Sequence, residues 1–144
     1  MTTALAAMTT PLWCLLGFVA WTLALLLAIA TARVSQVLLG KAKPTDFPAG
    51  VPHGGDAYWR LNRAHLNCLE NLPLFASVVL IATVAGLRVA ALDTLARVFL
   101  AARIGQSLAH ISSGSALAVN VRFIFFLVQF GCLAGFVLTI LRSA

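Results

Sequence analysis

Long apolar runs and short polar breaks alternate four times along the chain. Residues 1–32 carry no charged side chain. A bilayer core needs about 20 apolar residues in helical form, so a first span is expected over 12–39, with Leu12 to Ala32 as its apolar body. A signal peptide fits poorly. No basic residue precedes the run, the run is too long, and no convincing small-residue cleavage site stands before Arg33. Between Gly40 and Asp56 the pattern breaks at Pro44, Pro48, Pro52, Gly50, Gly54 and Gly55, which marks a loop. A second span is expected over 57–86, with Pro73 as a point of kinking. A third follows over 90–111. Ser112 to Ser115 form a short connection, and a fourth span covers 119–141. The expected fold is all-α: an integral membrane four-helix bundle, with residues 1–144 as one membrane domain.

Composition narrows the class. Hydrophobic residues make up 61% of the 144 positions and charged residues 10%, against roughly a quarter charged in ordinary soluble domains. An ordinary soluble enzyme, a disordered tail and a secreted disulfide scaffold are all excluded. Ten Lys and Arg against four Asp and Glu leave a net charge of +6. In a soluble chain that would suggest nucleic acid; beside four apolar runs it points to cytoplasmic loops instead. Cys14, Cys68 and Cys132 are odd in number and far apart, with no CxxC pair, so no zinc or redox site is signalled and no metal is expected.

Charge also sets an expected orientation. Arg33, Lys41, Lys43, Arg60, Arg63 and Arg122 lie at the ends facing the first and third loops, whereas Arg88, Arg97 and Arg142 lie at the other end. The excess of Lys and Arg predicts that loops 1 and 3 are cytoplasmic and both termini outside.

The remaining polar residues fall into stripes. With Arg60 at zero and about 100° per residue, Arg63 lies at about 300°, Asn67 at about 340°, Glu70 at about 280° and Asn71 at about 20°. These five share one face of span 2, while His65 falls off it at about 140°. On span 3, Arg103, Gln106 and His110 share a face at i, i+3 and i+7. Glu70 lies about 15 Å along span 2 from Arg60, and Arg103 about 10 Å deeper than His110. Depth therefore predicts an ion pair between Glu70 and Arg103. It leaves Arg60, Arg63, Asn67, His110 and Arg122 as a cation-rich mouth. Intramembrane ionisable groups face a bundle interior or a wet cavity. Two readings follow. Surplus Arg in a low dielectric suits an anion with carboxylates, and favours a thiolate nucleophile if the ligand carries a thiol. The plainer reading is polar glue between helices plus lipid headgroup contacts.

One stretch carries a family likeness. Arg60-Leu-Asn-Arg63-Ala-His65-Leu-Asn67-Cys68-Leu-Glu70-Asn71, followed by an apolar run, resembles the signature of the membrane-associated proteins in eicosanoid and glutathione metabolism, the MAPEG family. The R-A-H-x-N-x-x-E pattern is matched by Arg63, Ala64, His65, Asn67 and Glu70. Gln36-Val37, His53-Gly54-Gly55, Arg103 and Arg122 add to it. The resemblance, to a bacterial-type member, implies a homotrimer of four-helix subunits with glutathione as cosubstrate, bound between neighbouring subunits near the cytoplasmic side. It implies a multi-pass protein, in the inner membrane of a bacterial cell. By this carry-over Arg63, Asn67, Glu70 and Arg122 are the glutathione contacts, and Arg122 the group that stabilises the thiolate. With the polar stripes added, Arg122 and His110 are the candidate catalytic groups. Arg60, Arg63, Asn67, Glu70, Arg103 and Gln106 are the candidate binding groups. The chain departs from the family at Leu38 and Leu66, where enzymes commonly have Arg, at His110 in place of Tyr, at Gln106 in place of His, and at Cys68 in place of Asp.

The function expected is a glutathione-dependent membrane transferase or peroxidase acting on hydrophobic electrophiles or lipid peroxides. Its partners would be membrane lipid and a small hydrophobic substrate, with no nucleic acid. The alternative is a non-catalytic lipid-binding or partner-binding protein of the same fold. A small transporter or channel is a third reading, disfavoured because the charges gather in one half of the spans.

Overall fold

The computed structural model describes residues 8–48 and 51–143 of the chain. Gly50 of the first loop lies outside them. Four helices make up the fold: α1 (Thr10–Leu38), α2 (Asp56–Val84), α3 (Ala90–Ser112) and α4 (Ala116–Ser143). The architecture is the expected all-α four-helix bundle.

Helix ends follow local chemistry. The Thr9 hydroxyl accepts from the Leu12 amide and Pro11 sits in the first turn of α1, a favoured pairing of N-cap and proline. At the other end Gly40 takes φ +66. Its amide donates to the Val37 carbonyl, and the Lys41 amide to that of Gln36. This is a Schellman stop, which needs the left-handed conformation that glycine adopts without strain. Gly86, at φ +69, ends α2 in the same way, with Leu87 donating to Ala82. Ser115 caps α4 by accepting from the Ala118 amide. α2 runs through Pro73 as one helix.

One phenylalanine from each helix meets in the core. Phe18, Phe75, Phe99 and Phe136 are all fully buried. The Phe75 and Phe99 rings stack at 4.1 Å between centroids, and Phe136 stands edge-on to Phe75 at 6.0 Å. Phe18 tilts against both stacked rings. Lipid is as apolar as these side chains, so what holds them together is close packing and ring geometry rather than escape from water. Around the outside, Leu27, Leu80, Phe130 and Leu138 are exposed, as suits a surface that meets acyl chains.

Among the described residues, three helices are long and apolar enough to cross a membrane: α1, α2 and α4. α3, expected as a span of the same kind, does not reach that standard by composition. Its place in the bundle gives the reason. It packs against α1, α2 and α4, while α1 and α4 do not touch each other among the described residues. Like α2, it touches all three other helices; it turns Arg103, Gln106 and Ser107 into the bundle and keeps Val98 and Leu108 exposed on its outer face. Its low hydropathy reflects the polar residues turned inward.

The small residues divide by role. A Cβ on Gly105 would lie 2.6 Å from the Phe125 ring, so glycine lets α4 settle closely on α3. A Cβ on Gly135 would meet Leu95 at 3.0 Å, whereas one on Gly131 would meet nothing. Gly135, one half of the GxxxG pair, therefore serves packing within the chain, and Gly131 faces outward.

Candidate functional site

The start of α2, the end of α3 and the start of α4 converge at one end of the bundle. Between them lies a cavity of 370 Å³ lined by Arg60, Arg63, Gln106, His110, Val119, Arg122, Phe123 and Phe126. Three arginines and no carboxylate border it. Arg60 donates from Nε to the Ile111 carbonyl at 3.1 Å, where α3 leaves carbonyls without helical partners. That contact ties α2 to the end of α3. Gln106, nearly fully buried, donates to the Arg122 carbonyl at 3.0 Å. Gln129 donates from Nε2 to Gln106 Oε1 at 3.1 Å and to the Phe125 carbonyl at 2.9 Å. This ladder of amides aligns α4 with α3 and holds the backbone at Arg122.

The side chain of Arg122 is itself held. Its NH1 lies 2.9 Å from His110 Nδ1. The other ring nitrogen, Nε2, lies 3.0 Å from Asn67 Nδ2, and that amide nitrogen also donates to the Arg63 carbonyl at 3.1 Å. A chain of contacts thus joins α2 to α3 to α4: Asn67, His110, Arg122. Of the residues expected to form a site, Arg60, Arg63, Asn67, Gln106, His110 and Arg122 come together here.

Two do not. Arg103 is 1% exposed and lies inside the bundle, 5.9 Å from the centre of the Phe18 ring. Among the described residues its Nε, Nη1 and Nη2 have no hydrogen-bond partner. Glu70 sits on the exposed surface of α2. The ion pair expected from their matching depth is not formed. Rise along a helix fixes depth alone; the direction of each side chain follows from packing, which turns Arg103 toward α1 and Glu70 outward.

Several groups were not anticipated. Gln129 is a lone polar residue in a long apolar run, and that isolation is itself the signal that could have found it. Arg33 Nε donates to the Tyr58 hydroxyl and its guanidinium stands over the Phe47 ring. His53 touches Phe47, Tyr58 and Trp59, and its Nδ1 contacts the Val51 carbonyl. These contacts clasp loop 1 onto the end of the bundle. His65 borders a separate 230 Å³ cavity between α1 and α2, with Arg33, His53 and Asn62. A further 360 Å³ cavity at the far end is lined by Thr9, Thr83, Arg88 and Asp93 among others. Size does not separate it from the first cavity; chemistry does, since its charges include both signs.

A family model described as MAPEG family matches residues 10–142. The chain belongs to the MAPEG family. It is thereby a membrane protein related to glutathione and eicosanoid metabolism. No curated protein and no solved structure matches it. In this MAPEG chain the family's Arg-Ala-His-x-Asn-x-x-Glu stretch occupies the third and fourth turns of α2. It sends Arg63 and Asn67 to the cavity side, His65 toward α1 and Glu70 to the surface.

Proposed function

We propose that this protein is a glutathione-dependent membrane transferase or peroxidase that acts on hydrophobic electrophiles or lipid peroxides. One observation carries the reading: Arg60, Arg63 and Arg122 surround a single cavity with no carboxylate in its lining. Glutathione brings two carboxylates and a thiol. Arg60 and Arg63 suit the carboxylates, because guanidinium groups bind them in two-pronged fashion. Arg122 suits the sulfur, where a fixed cation lowers the cost of the thiolate. Val119, Phe123 and Phe126 give the cavity an apolar wall that continues onto the lipid-facing side of α4. A lipid-dissolved electrophile would approach along it.

The assembly proposed is a homotrimer, with loops 1 and 3 in the cytoplasm and both termini outside. In a bacterial cell its place would be the inner membrane. Arg63 and Glu70 are exposed on α2 of a lone subunit, and charged groups at membrane depth favour a neighbour that covers them. Glutathione would then be shared between subunits, with Glu70 near it.

A non-catalytic, lipid-binding role is the second reading. It is favoured by Leu38 and Leu66, both exposed, at positions where enzymes of the family commonly carry Arg. Two measurements separate the readings. Thermal unfolding of the detergent-purified protein should shift upward with glutathione, since a ligand at about 100 times its Kd stabilises by about 2.7 kcal/mol. The shift should be lost in Arg122→Ala and reduced in Asn67→Ala. Conjugate formation with an aryl halide should be detectable. Absence of any glutathione shift would sink the enzymatic reading.

A further inference from the structure

His110 sits between two hydrogen-bond donors, and a histidine cannot satisfy both as they stand. Arg122 always donates, so Nδ1 at 2.9 Å must be the accepting nitrogen. The neutral ring then carries its proton on Nε2. At 3.0 Å from Nε2 lies the Asn67 amide nitrogen, also a donor. Turning that amide by half presents Oδ1 to Nε2–H, at the expense of the Asn67 bond to the Arg63 carbonyl. Either way, the lone pair at Nδ1 is occupied only by Arg122. When Arg122 moves away, a free basic nitrogen is left facing the cavity.

We propose that His110 is the proton acceptor for the bound thiol, and that Arg122 uncovers it by moving from the imidazole to the sulfur. The proposal rests on the glutathione reading above. The step is a proton transfer. The S–H bond breaks and its electron pair stays on sulfur. A bond forms between that proton and His110 Nδ1, and an Arg122 N–H that had pointed to Nδ1 now points to the thiolate. Nothing is oxidised or reduced. The imidazolium keeps its Nε2–H on Asn67 Oδ1, so Asn67 in its turned form holds the ring for the charged state.

The surroundings explain why the ligand must be anionic for this to work. The charged groups near His110 are Arg60 and Arg63 from α2 and Arg122 from α4, with Arg103 deeper on its own helix and turned toward α1, all cations. They oppose a positive charge on the ring. The two carboxylates and the thiolate of glutathione outweigh its single ammonium, so the bound thiolate offsets part of this positive charge. Protonation of His110 is therefore coupled to occupancy of the site, and the imidazole is returned to neutrality when the proton leaves with product.

Proton counting tests this on the full-length protein in detergent. Glutathione is added in weak buffer near neutral pH. Bound thiolate is followed by its ultraviolet absorbance and released protons by an indicator dye. S-methylglutathione, which has no thiol proton, supplies the correction for other groups. The expected result is thiolate formation with almost no proton released to solution. His110→Gln should release about one proton per thiolate, or bind glutathione without forming thiolate. Release of about one proton per thiolate by the unaltered protein would overturn the proposal, as would binding of glutathione with no thiolate. If calorimetry shows no glutathione binding at all, the glutathione reading itself fails, and the proton role of His110 falls with it.

Discussion

Arg103 and Arg122 carry the same guanidinium into the same bundle and meet opposite fates. Arg103 is sealed among α1, α2 and α3 against an aromatic ring, with all three nitrogens unpartnered. Arg122 borders a cavity, is half-buried, and is wired through His110 to Asn67. The first is a charge with no hydrogen-bond partner among the described residues; the second has a partner it can leave. A charge inside a membrane bundle is thus poor evidence of chemistry by itself. What distinguishes the useful arginine is room beside it and a neutral partner that holds it until something better arrives.

Replacement tests that contrast most strongly at Arg103. Holding an ion out of water costs several kcal/mol, a penalty that an apolar side chain of similar length removes. Arg103→Met should therefore raise the thermal unfolding temperature in detergent and leave glutathione affinity within a few-fold. A marked loss of stability would show that Arg103 has an answering group after all. Arg122→Ala should do the reverse. Loss of a charge-assisted contact costs about 1.5–3 kcal/mol, read as a rise of tenfold or more in the glutathione Kd by calorimetry. Unfolding temperature should change little. Gly105→Ala sharpens the comparison from a different side. Its Cβ would press on the Phe125 ring, and overpacking of this kind costs about 1–3 kcal/mol. It should lower both stability and glutathione affinity, because α4 carries Arg122 and would be pushed off α3. The smallest effect is expected for Gln129→Leu. Polar contacts between membrane helices average about 0.6 kcal/mol, so unfolding should shift slightly while the Arg122 position loosens, read as a modest rise in Kd.

Much of the fold was legible because helix boundaries are local. The glycines at 40 and 86 stop helices through their own backbone conformation, and the proline-rich stretch between α1 and α2 cannot continue either. The polar stripe of α2 was legible through periodicity, and so were the groups that line the cavity with it. The partnership of Glu70 with Arg103 was misjudged because pitch and rise locate a residue on its own helix and say nothing about how neighbouring helices are rotated. The clasp of Arg33 on Tyr58 and Phe47 joins residues 25 apart across an irregular loop, where no periodic pattern exists to read. The low hydropathy of α3 has another source. Hydropathy averages a helix over all its faces, and α3 turns Arg103, Gln106 and Ser107 into the bundle while Val98 and Leu108 face outward.

The four core phenylalanines have a consequence for biogenesis. They arrive at the membrane in chain order, one with each helix, and Phe136 is the last. Until it is inserted, the stacked rings of Phe75 and Phe99 lack their edge-on neighbour and the core is open on one side. The helix that closes it is also the one that delivers Arg122. A subunit that lacks α4 has Arg60 and Arg63 on α2 and His110 on α3, but neither Phe136 nor Arg122. The three arginines of the cavity come together only when the last helix docks.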